Sequence, residues 1–139
     1  GEDDKSILYN DLDTESSDID KEYEINKQVF QKLDSLIKRD ELYLSADLSR
    51  EDLVRMAHMN NTRFAKMIKE NTGTNLSGYI NELRLNHAIH LLKEHPEYTL
   101  RAIAEASGIN SMPTFHSLFK NKTGMTSSEF KKTQMDMKQ

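Results

Sequence analysis

Three cationic side chains recur at helical spacing over a short stretch of the chain. Arg63, Lys66 and Lys69 follow one another at intervals of three, and the polar pair Asn61 and Thr62 precedes them. Residues three or four apart are neighbours on a helix surface, so a helix here would present these groups together. Cations of this kind bind phosphate oxygens, and a guanidinium also recognises a guanine edge. The pattern is typical of contact with a polyanion. An ordinary solvated helix face explains it equally well.

A second polar set lies about 50 residues further along the chain and is less basic. Thr114 and Ser117 can hydrogen-bond to base edges or phosphate, and His116 can donate or accept. Met112 can contact a thymine methyl group or simply pack against its neighbours. We expect this set to recognise nucleic acid more weakly than the first set does, or to depend more on the shape of the nucleic acid. Its members are Ser111, Met112, Thr114, His116, Ser117 and Lys120.

Other site chemistry finds little support. His87, His90 and Glu94 share one side of a helix, which is compatible with a metal site but more typical of a solvated face. The chain has no cysteine, which excludes a disulfide or a Cys-based zinc site. We see no nucleophile paired with a base and no Gly-rich phosphate loop. We therefore expect neither an enzyme nor a bound cofactor or metal.

An internal repeat must position the two polar sets. The pattern Phe64-x-x-x-Ile68-Lys69-x-x-Thr72-Gly73 recurs as Phe115-x-x-x-Phe119-Lys120-x-x-Thr123-Gly124, at an offset of 51. The preceding pair, Leu53-Val54, recurs as Ile103-Ala104 at an offset of 50. Such self-similarity predicts two versions of one helical unit. In a helix-turn-helix the first helix braces a second one, which lies in the major groove of DNA.

The local signals predict an all-α chain. Ser49 and Asp52 resemble a capping box, Thr99 and Ser111 are expected N-caps, and Ser127 or Ser128 should cap a closing helix. The helix over 76–94 should span about 30 Å, close to the roughly 34 Å turn of DNA. Two recognition helices held apart by it can then enter successive major grooves. We predict helices over about 50–57, 61–71, 76–94, 100–107 and 111–122, with Phe64, Met67, Ile68, Phe115, Leu118 and Phe119 buried.

The N-terminal third has a different character. Residues 1–41 carry 6 Lys and Arg against 13 Asp and Glu, a net charge of −7, whereas residues 42–139 carry +3. We expect a disordered acidic linker over 1–21 and an amphipathic helix over 22–41, whose stripe is Ile25, Val29, Leu33 and Leu36. That helix either packs on the domain that follows or continues a helix from an upstream domain. The total of −4 does not exclude nucleic acid, because the excess of acidic over basic residues is confined to residues 1–41.

No apolar run is long enough for a membrane span, and the acidic start is unlike a signal peptide. We therefore expect no membrane contact and a cytoplasmic location. The chain lacks an initiator Met, and we expect it to be a fragment of a longer protein.

Residues from about Leu42 to Lys132 resemble the DNA-binding domain of AraC/XylS-type transcription regulators. The resemblance rests on the two repeated units and on the stretch Tyr79-Ile80-Asn81-Glu82-Leu83-Arg84-Leu85 followed by Ala88 and Leu91-Leu92. It implies two helix-turn-helix subdomains joined by a long helix, a structural role for Arg84, and sequence-specific promoter binding. Three positions depart from the family pattern: His58 for a common Gly, Ser117 for a common basic residue, and Thr126-Ser127 for a common Thr-Pro.

The sequence thus predicts a double helix-turn-helix domain over 42–139 that binds double-stranded DNA. The contacting residues implied are Asn61, Thr62, Arg63, Lys66 and Lys69 in the first unit and the second polar set in the other. A sensor region is expected elsewhere in the longer protein. RNA polymerase is a further candidate partner. A second copy of the chain is another, and it would dimerise through the sensor region or helix 22–41. The alternative is a protein-interaction module that has kept the fold without strong DNA binding. Operator, inducing signal, and activation or repression stay open.

Overall fold

The computed structural model describes residues 2–139, with side chains from residue 17 onward; Gly1 lies outside the described residues. This range contains helices and no strand, which confirms the predicted all-α class. None of its helices is both long and apolar enough to cross a membrane. The helices are α1 (Glu2–Arg39), a short 3-10 helix η1 (Leu42–Leu44), α2 (Arg50–Ala57), α3 (Asn61–Thr72), α4 (Leu76–Glu94), α5 (Leu100–Ala106), α6 (Met112–Thr123) and α7 (Ser127–Met137).

The internal repeat extends to the atomic detail of two helix ends. Gly73 ends α3 at φ 78°, and Gly124 ends α6 at φ 77°, a conformation that suits glycine. The Thr72 hydroxyl donates to the Ile68 carbonyl at 2.7 Å, and the Thr123 hydroxyl donates to the Phe119 carbonyl at 2.8 Å. Each threonine oxygen also accepts from the amide two residues on. The two units are therefore equivalent structures, as the offset of 51 predicted.

Most helix starts follow the predicted caps. Ser49 forms the capping box with Asp52, and hydrogen bonds from Ser49 hold the pKa of that carboxyl below its usual value. Thr99 and Ser111 cap α5 and α6. The prediction for α7 was wrong by one residue, because its cap is Thr126, whose hydroxyl accepts from the Glu129 amide at 3.1 Å.

Two hydrophobic cores meet along α4. Tyr79 and Ile80 belong to the core of the first unit, and Leu85, Ala88 and Leu92 belong to the core of the second. The bounds of α4 are those predicted from the sequence. Because one continuous helix supplies both cores, it fixes how the two units sit relative to each other.

Helix α1 packs on the first unit, which agrees with the first of the two predicted alternatives; its continuation from an upstream domain stays a prediction. Leu33 and Ile37 are 5 % and 0 % exposed in its core. The predicted stripe was out of phase at its start, since Ile25 is 51 % exposed whereas Asn26 is fully buried.

The helix also begins at Glu2, where a disordered linker over 1–21 was predicted. Extending an existing helix costs far less than starting one, and acidic residues are favourable near a helix N-terminus.

Candidate nucleic-acid interface

The first recognition helix, α3, is set by a tight turn after α2. His58 adopts the left-handed conformation at φ 53° and ends α2, so it fills the predicted turn position in place of glycine. Asn60 then caps α3, its side-chain oxygen accepting from the Arg63 amide at 2.8 Å. Sequence reasoning missed this cap, although Asn is a favoured N-cap residue. The buried side of α3 is Phe64, Met67 and Ile68, as predicted.

The opposite side of α3 carries most of the predicted contact residues. Asn61, Thr62, Lys66 and Lys69 are exposed. The Lys66 amine lies 3.9 Å from a Glu70 carboxylate oxygen, and the Lys69 amine donates to the Gly73 carbonyl at 3.0 Å. An exposed ion pair such as that of Lys66 is weak, and the bond from Lys69 to a backbone carbonyl is also exposed to solvent, so both amines can turn toward a phosphate at little cost.

Arg63 does not face outward as predicted. Its side chain is half-buried, and its Nε donates to the Asn26 side-chain oxygen at 2.8 Å. A Glu22 carboxylate oxygen lies 3.8 Å from the same nitrogen. Both partners belong to α1, a tertiary contact across 37 positions that helical periodicity cannot predict.

The second recognition helix, α6, presents a smaller polar face than predicted. Thr114, His116, Ser117 and Lys120 are exposed. Met112 is half-buried and packs against the second core, which agrees with the packing alternative given for it. The hydroxyl of Ser111 caps the helix by accepting from the Thr114 amide at 3.4 Å.

His116 has a fixed partner behind it. Its Nδ1 lies 2.6 Å from the hydroxyl of Ser127, which is 1 % exposed. That bond leaves the other ring nitrogen, Nε2, as the one available to a ligand. Between α6 and α7 lies a polar groove lined by His116, Ser117, Lys120, Asn121, Thr126, Ser127 and Ser128.

Sequence reasoning also missed Arg50, which borders α3. Its guanidinium donates to the Asn61 side chain and backbone carbonyl, each at 3.4 Å, and lies 5.3 Å from the Phe64 ring centroid. The sequence does place Arg50 directly after the Ser49 cap, at the start of α2. Its proximity to α3, however, depends on how α2 and α3 cross, which the sequence pattern does not show.

Arg84 on α4 ties this helix to the η1 segment, which agrees with the structural role implied for it. Its Nε donates to the Tyr43 carbonyl at 2.7 Å, its Nη2 donates to the Ser45 carbonyl at 2.8 Å, and burial lowers its pKa. A Cβ added at Gly108, in the turn of the second unit, would lie 2.6 Å from the Tyr43 carbonyl oxygen. The first unit, α4 and the second turn therefore meet closely here.

The residues considered for a metal contact different neighbours. His90 lies 3.1 Å from Glu94, whereas the His87 ring packs edge-on against Tyr43 at 6.3 Å. Among the side chains that the structure describes, no three His, Asp or Glu residues are placed to hold an ion together.

Comparison with known proteins places the chain in a family. A family model described as "Helix-turn-helix domain" matches residues 53–133. The uncharacterized transcriptional regulatory protein YesN of Bacillus subtilis is 38% identical over 80 residues, 57% of this chain and 22% of YesN. The uncharacterized HTH-type transcriptional regulator YobQ of Bacillus subtilis is 31% identical over 83 residues, 60% of this chain and 34% of YobQ. The chain thus spans about a fifth to a third of these relatives.

Solved structures show the same fold. A protein of unknown function from Listeria innocua matches with a TM-score of 0.66 and 27% identity, over 75% of this chain and 95% of its own. The C-terminal domain of the two-component response regulator YesN from Fusobacterium nucleatum matches with a TM-score of 0.66 and 21% identity, over 75% and 98%. The chain belongs to the AraC-type family of helix-turn-helix DNA-binding domains of transcription regulators.

Proposed function

We propose that this domain binds a specific promoter site by inserting α3 and α6 into successive major grooves on one face of DNA. The observation that carries the proposal is the pair of equivalent units on one shared helix. Helix α4 has 19 residues, so it spans about 30 Å, near the roughly 34 Å turn of B-form DNA. One chain would thereby read a site that usually requires a dimer.

The two units contribute unequally in this proposal. Lys66 and Lys69 on α3 supply more positive charge than Lys120 does on the α6 face, so α3 contributes more of the affinity. Asn61, Thr62 and Lys66 face outward on α3 to reach base edges or phosphate, and Arg50 beside them suits a phosphate.

On α6, Thr114, His116 and Ser117 would contact base edges, and Lys120 would bind phosphate. The two remaining members of the second polar set would act differently. Ser111 would orient α6 as its cap, and Met112 would support it through the core.

The domain would act within a longer regulator. The curated relatives extend well beyond the matched region, and the Fusobacterium nucleatum neighbour is described as part of a two-component response regulator. We propose that a sensor region elsewhere controls this domain in the cytoplasm. RNA polymerase and a second copy, joined through that region or through α1, are the partners proposed for the whole protein.

Salt dependence of binding to a mixed-sequence duplex tests the proposal. Each neutralised phosphate contributes a slope of about −0.9 to log K against log salt, so a basic face should weaken steeply. Lys69→Ala should lower affinity for every sequence and reduce the slope by about 1. Lys93→Ala, which removes the same charge from an exposed position on α4, is the matched control and should change neither.

Two outcomes would contradict the proposal. If no DNA binding is detected even at low salt, the protein-interaction alternative replaces it. If Lys69→Ala and Lys93→Ala behave alike, the assignment of the α3 face is wrong.

A further inference from the structure

The guanidinium of Arg63 is held by α1. As described above, its Nε donates to Asn26 and lies 3.8 Å from Glu22, two positions on one side of that helix. With its Nε engaged in this way, Arg63 cannot offer the Nε–Nη edge of its guanidinium to a base edge or a phosphate, and the bond holds the group toward α1. The contact therefore restricts how one of the cations of the proposed interface can reach DNA.

Asn26 is an unusual residue for its position. It is fully buried, on the side of α1 that carries Leu33 and Ile37, yet its side-chain nitrogen has no hydrogen-bond partner. A buried donor without a partner is destabilising, so packing does not explain an asparagine here. Its oxygen, by contrast, has a specific partner in Arg63.

The charge of α1 adds to the effect. Residues 18–24 contain Asp18, Asp20, Glu22 and Glu24 against one Lys21, so this turn of helix is strongly acidic where it passes α3. Negative charge beside a DNA-binding face repels phosphates as well as pairing with cations.

The two parts of α1 are attached differently. The C-terminal part is anchored, because Leu33 and Ile37 are buried in the first core and Asp34 accepts a hydrogen bond from the Tyr79 hydroxyl. Upstream, Ile19, Tyr23 and Ile25 are 55 %, 45 % and 51 % exposed. Among the described side chains, those that α1 contributes to the first core begin at Val29. The upstream part can therefore move away while these core contacts stay in place; the movement exposes Asn26 and releases Arg63 from Asn26 and Glu22.

We propose that the upstream part of α1 is an autoinhibitory element, which competes with DNA for Arg63 through Asn26 and Glu22. This inference rests on the proposed function, because it concerns the regulation of the same α3 face. A signal that bends or displaces α1 would free Arg63 and remove acidic charge from the interface in one movement.

Charge-matched pairs of variants test the inference on the whole chain, using a mixed-sequence duplex at low salt. Glu22→Gln and Glu24→Gln each remove one negative charge from α1, but Glu24 is exposed and lies around the helix from Glu22. A surface ion pair has a small energy, so Glu22→Gln should bind about two- to fivefold tighter than Glu24→Gln. Equal affinities for the two would overturn the inference.

The opposite change uses Asn26→Asp, which replaces the unpartnered donor by an acceptor and gives Arg63 a charged partner. A bond charged on both sides is stronger, so this variant should bind DNA about threefold or more weakly than Gln28→Glu, which adds the same charge at an exposed site of α1. Thermal melting checks that the variants are folded. A folded Asn26→Asp that binds as well as Gln28→Glu would contradict the inference.

Combining Glu22→Gln with Arg63→Ala separates this inference from the proposed function. In the absence of Arg63, Glu22→Gln should no longer bind DNA more tightly than Glu24→Gln, because Glu22 then has no arginine to withhold from DNA. If wild-type binding to DNA falls steeply with salt but Glu22→Gln still binds more tightly than Glu24→Gln without Arg63, the inference fails and the proposed function stands. If wild type does not bind DNA at all, both fail.

Discussion

Replacing Phe64 by alanine perturbs the residue at the centre of the first unit. Phe64 is fully buried in the first core, and the Arg50 guanidinium lies 5.3 Å from its ring centroid. Truncating a buried phenylalanine costs about 3–5 kcal/mol, and the lost contact with an exposed arginine adds about 0.5 kcal/mol. With about 2.1 cal/mol/K of unfolding entropy per residue over 139 residues, Tm should fall by roughly 12–19 °C.

Urea unfolding followed by circular dichroism measures this loss, and Phe115→Ala is the matched variant. Phe115 occupies the equivalent position in the second unit and is also fully buried, beside the Phe119 ring at 5.6 Å. We expect a loss of about 3–5 kcal/mol there as well. A melting curve unmoved by either change would refute the helix phase on which both recognition faces depend.

Two further predictions concern the backbone and pH. His58→Gly should stabilise the domain by about 0.5–1 kcal/mol in urea unfolding, because the left-handed conformation costs a non-glycine residue about 1–2 kcal/mol and glycine's entropy offsets part of that; a destabilised variant would contradict this. Burial and the hydrogen bond to Asp34 raise the pKa of Tyr79, so its contribution is complete below about pH 10 and is lost as pH rises above that value, where unfolded tyrosine ionises. Tyr79→Phe should therefore lose less stability than wild type between about pH 9 and 11 in thermal melts, and parallel losses would show that reasoning to be wrong.

Local signals were sufficient for the parts of the fold that local interactions determine. The bounds of α4 and the caps at Ser49, Thr99 and Ser111 follow from side-chain hydrogen bonds and apolar spacing within a few residues. The repeat predicted two equivalent units, because identical residues at the ends of α3 and α6 make identical bonds.

The contacts that sequence reasoning missed lie between distant segments. The stripe on α1 was predicted to include Ile25, but Asn26 is the buried residue, and it accepts a hydrogen bond from Arg63 of α3. The sequence left packing and thymine contact open for Met112, and its position at the start of α6 brings it against the second core. Arg50 borders α3 only because α2 and α3 cross there. A hydrophobic period within one helix contains no information about these partners.

The two units share a scaffold and differ in their surfaces. Equivalent phenylalanines fill the cores, whereas Arg63, Lys66 and Lys69 on α3 have no basic counterpart on α6 except Lys120. Similar cores hold α3 and α6 in similar positions, and under the proposed function the different surfaces would distinguish two parts of one site. Helix α3 also contacts α1, so any control through α1 would act on the more basic of the two faces.

The most direct test of the central claim is selection of bound sites from random DNA, followed by a footprint of the winning sequence. Two recognition helices in successive major grooves should protect two groups of bases on one face, about 10 base pairs apart centre to centre. Lys66→Ala should weaken the group read by α3, and Ser117→Ala should affect only the other. A footprint confined to one major groove, or a selection that yields no preferred sequence, would contradict the account.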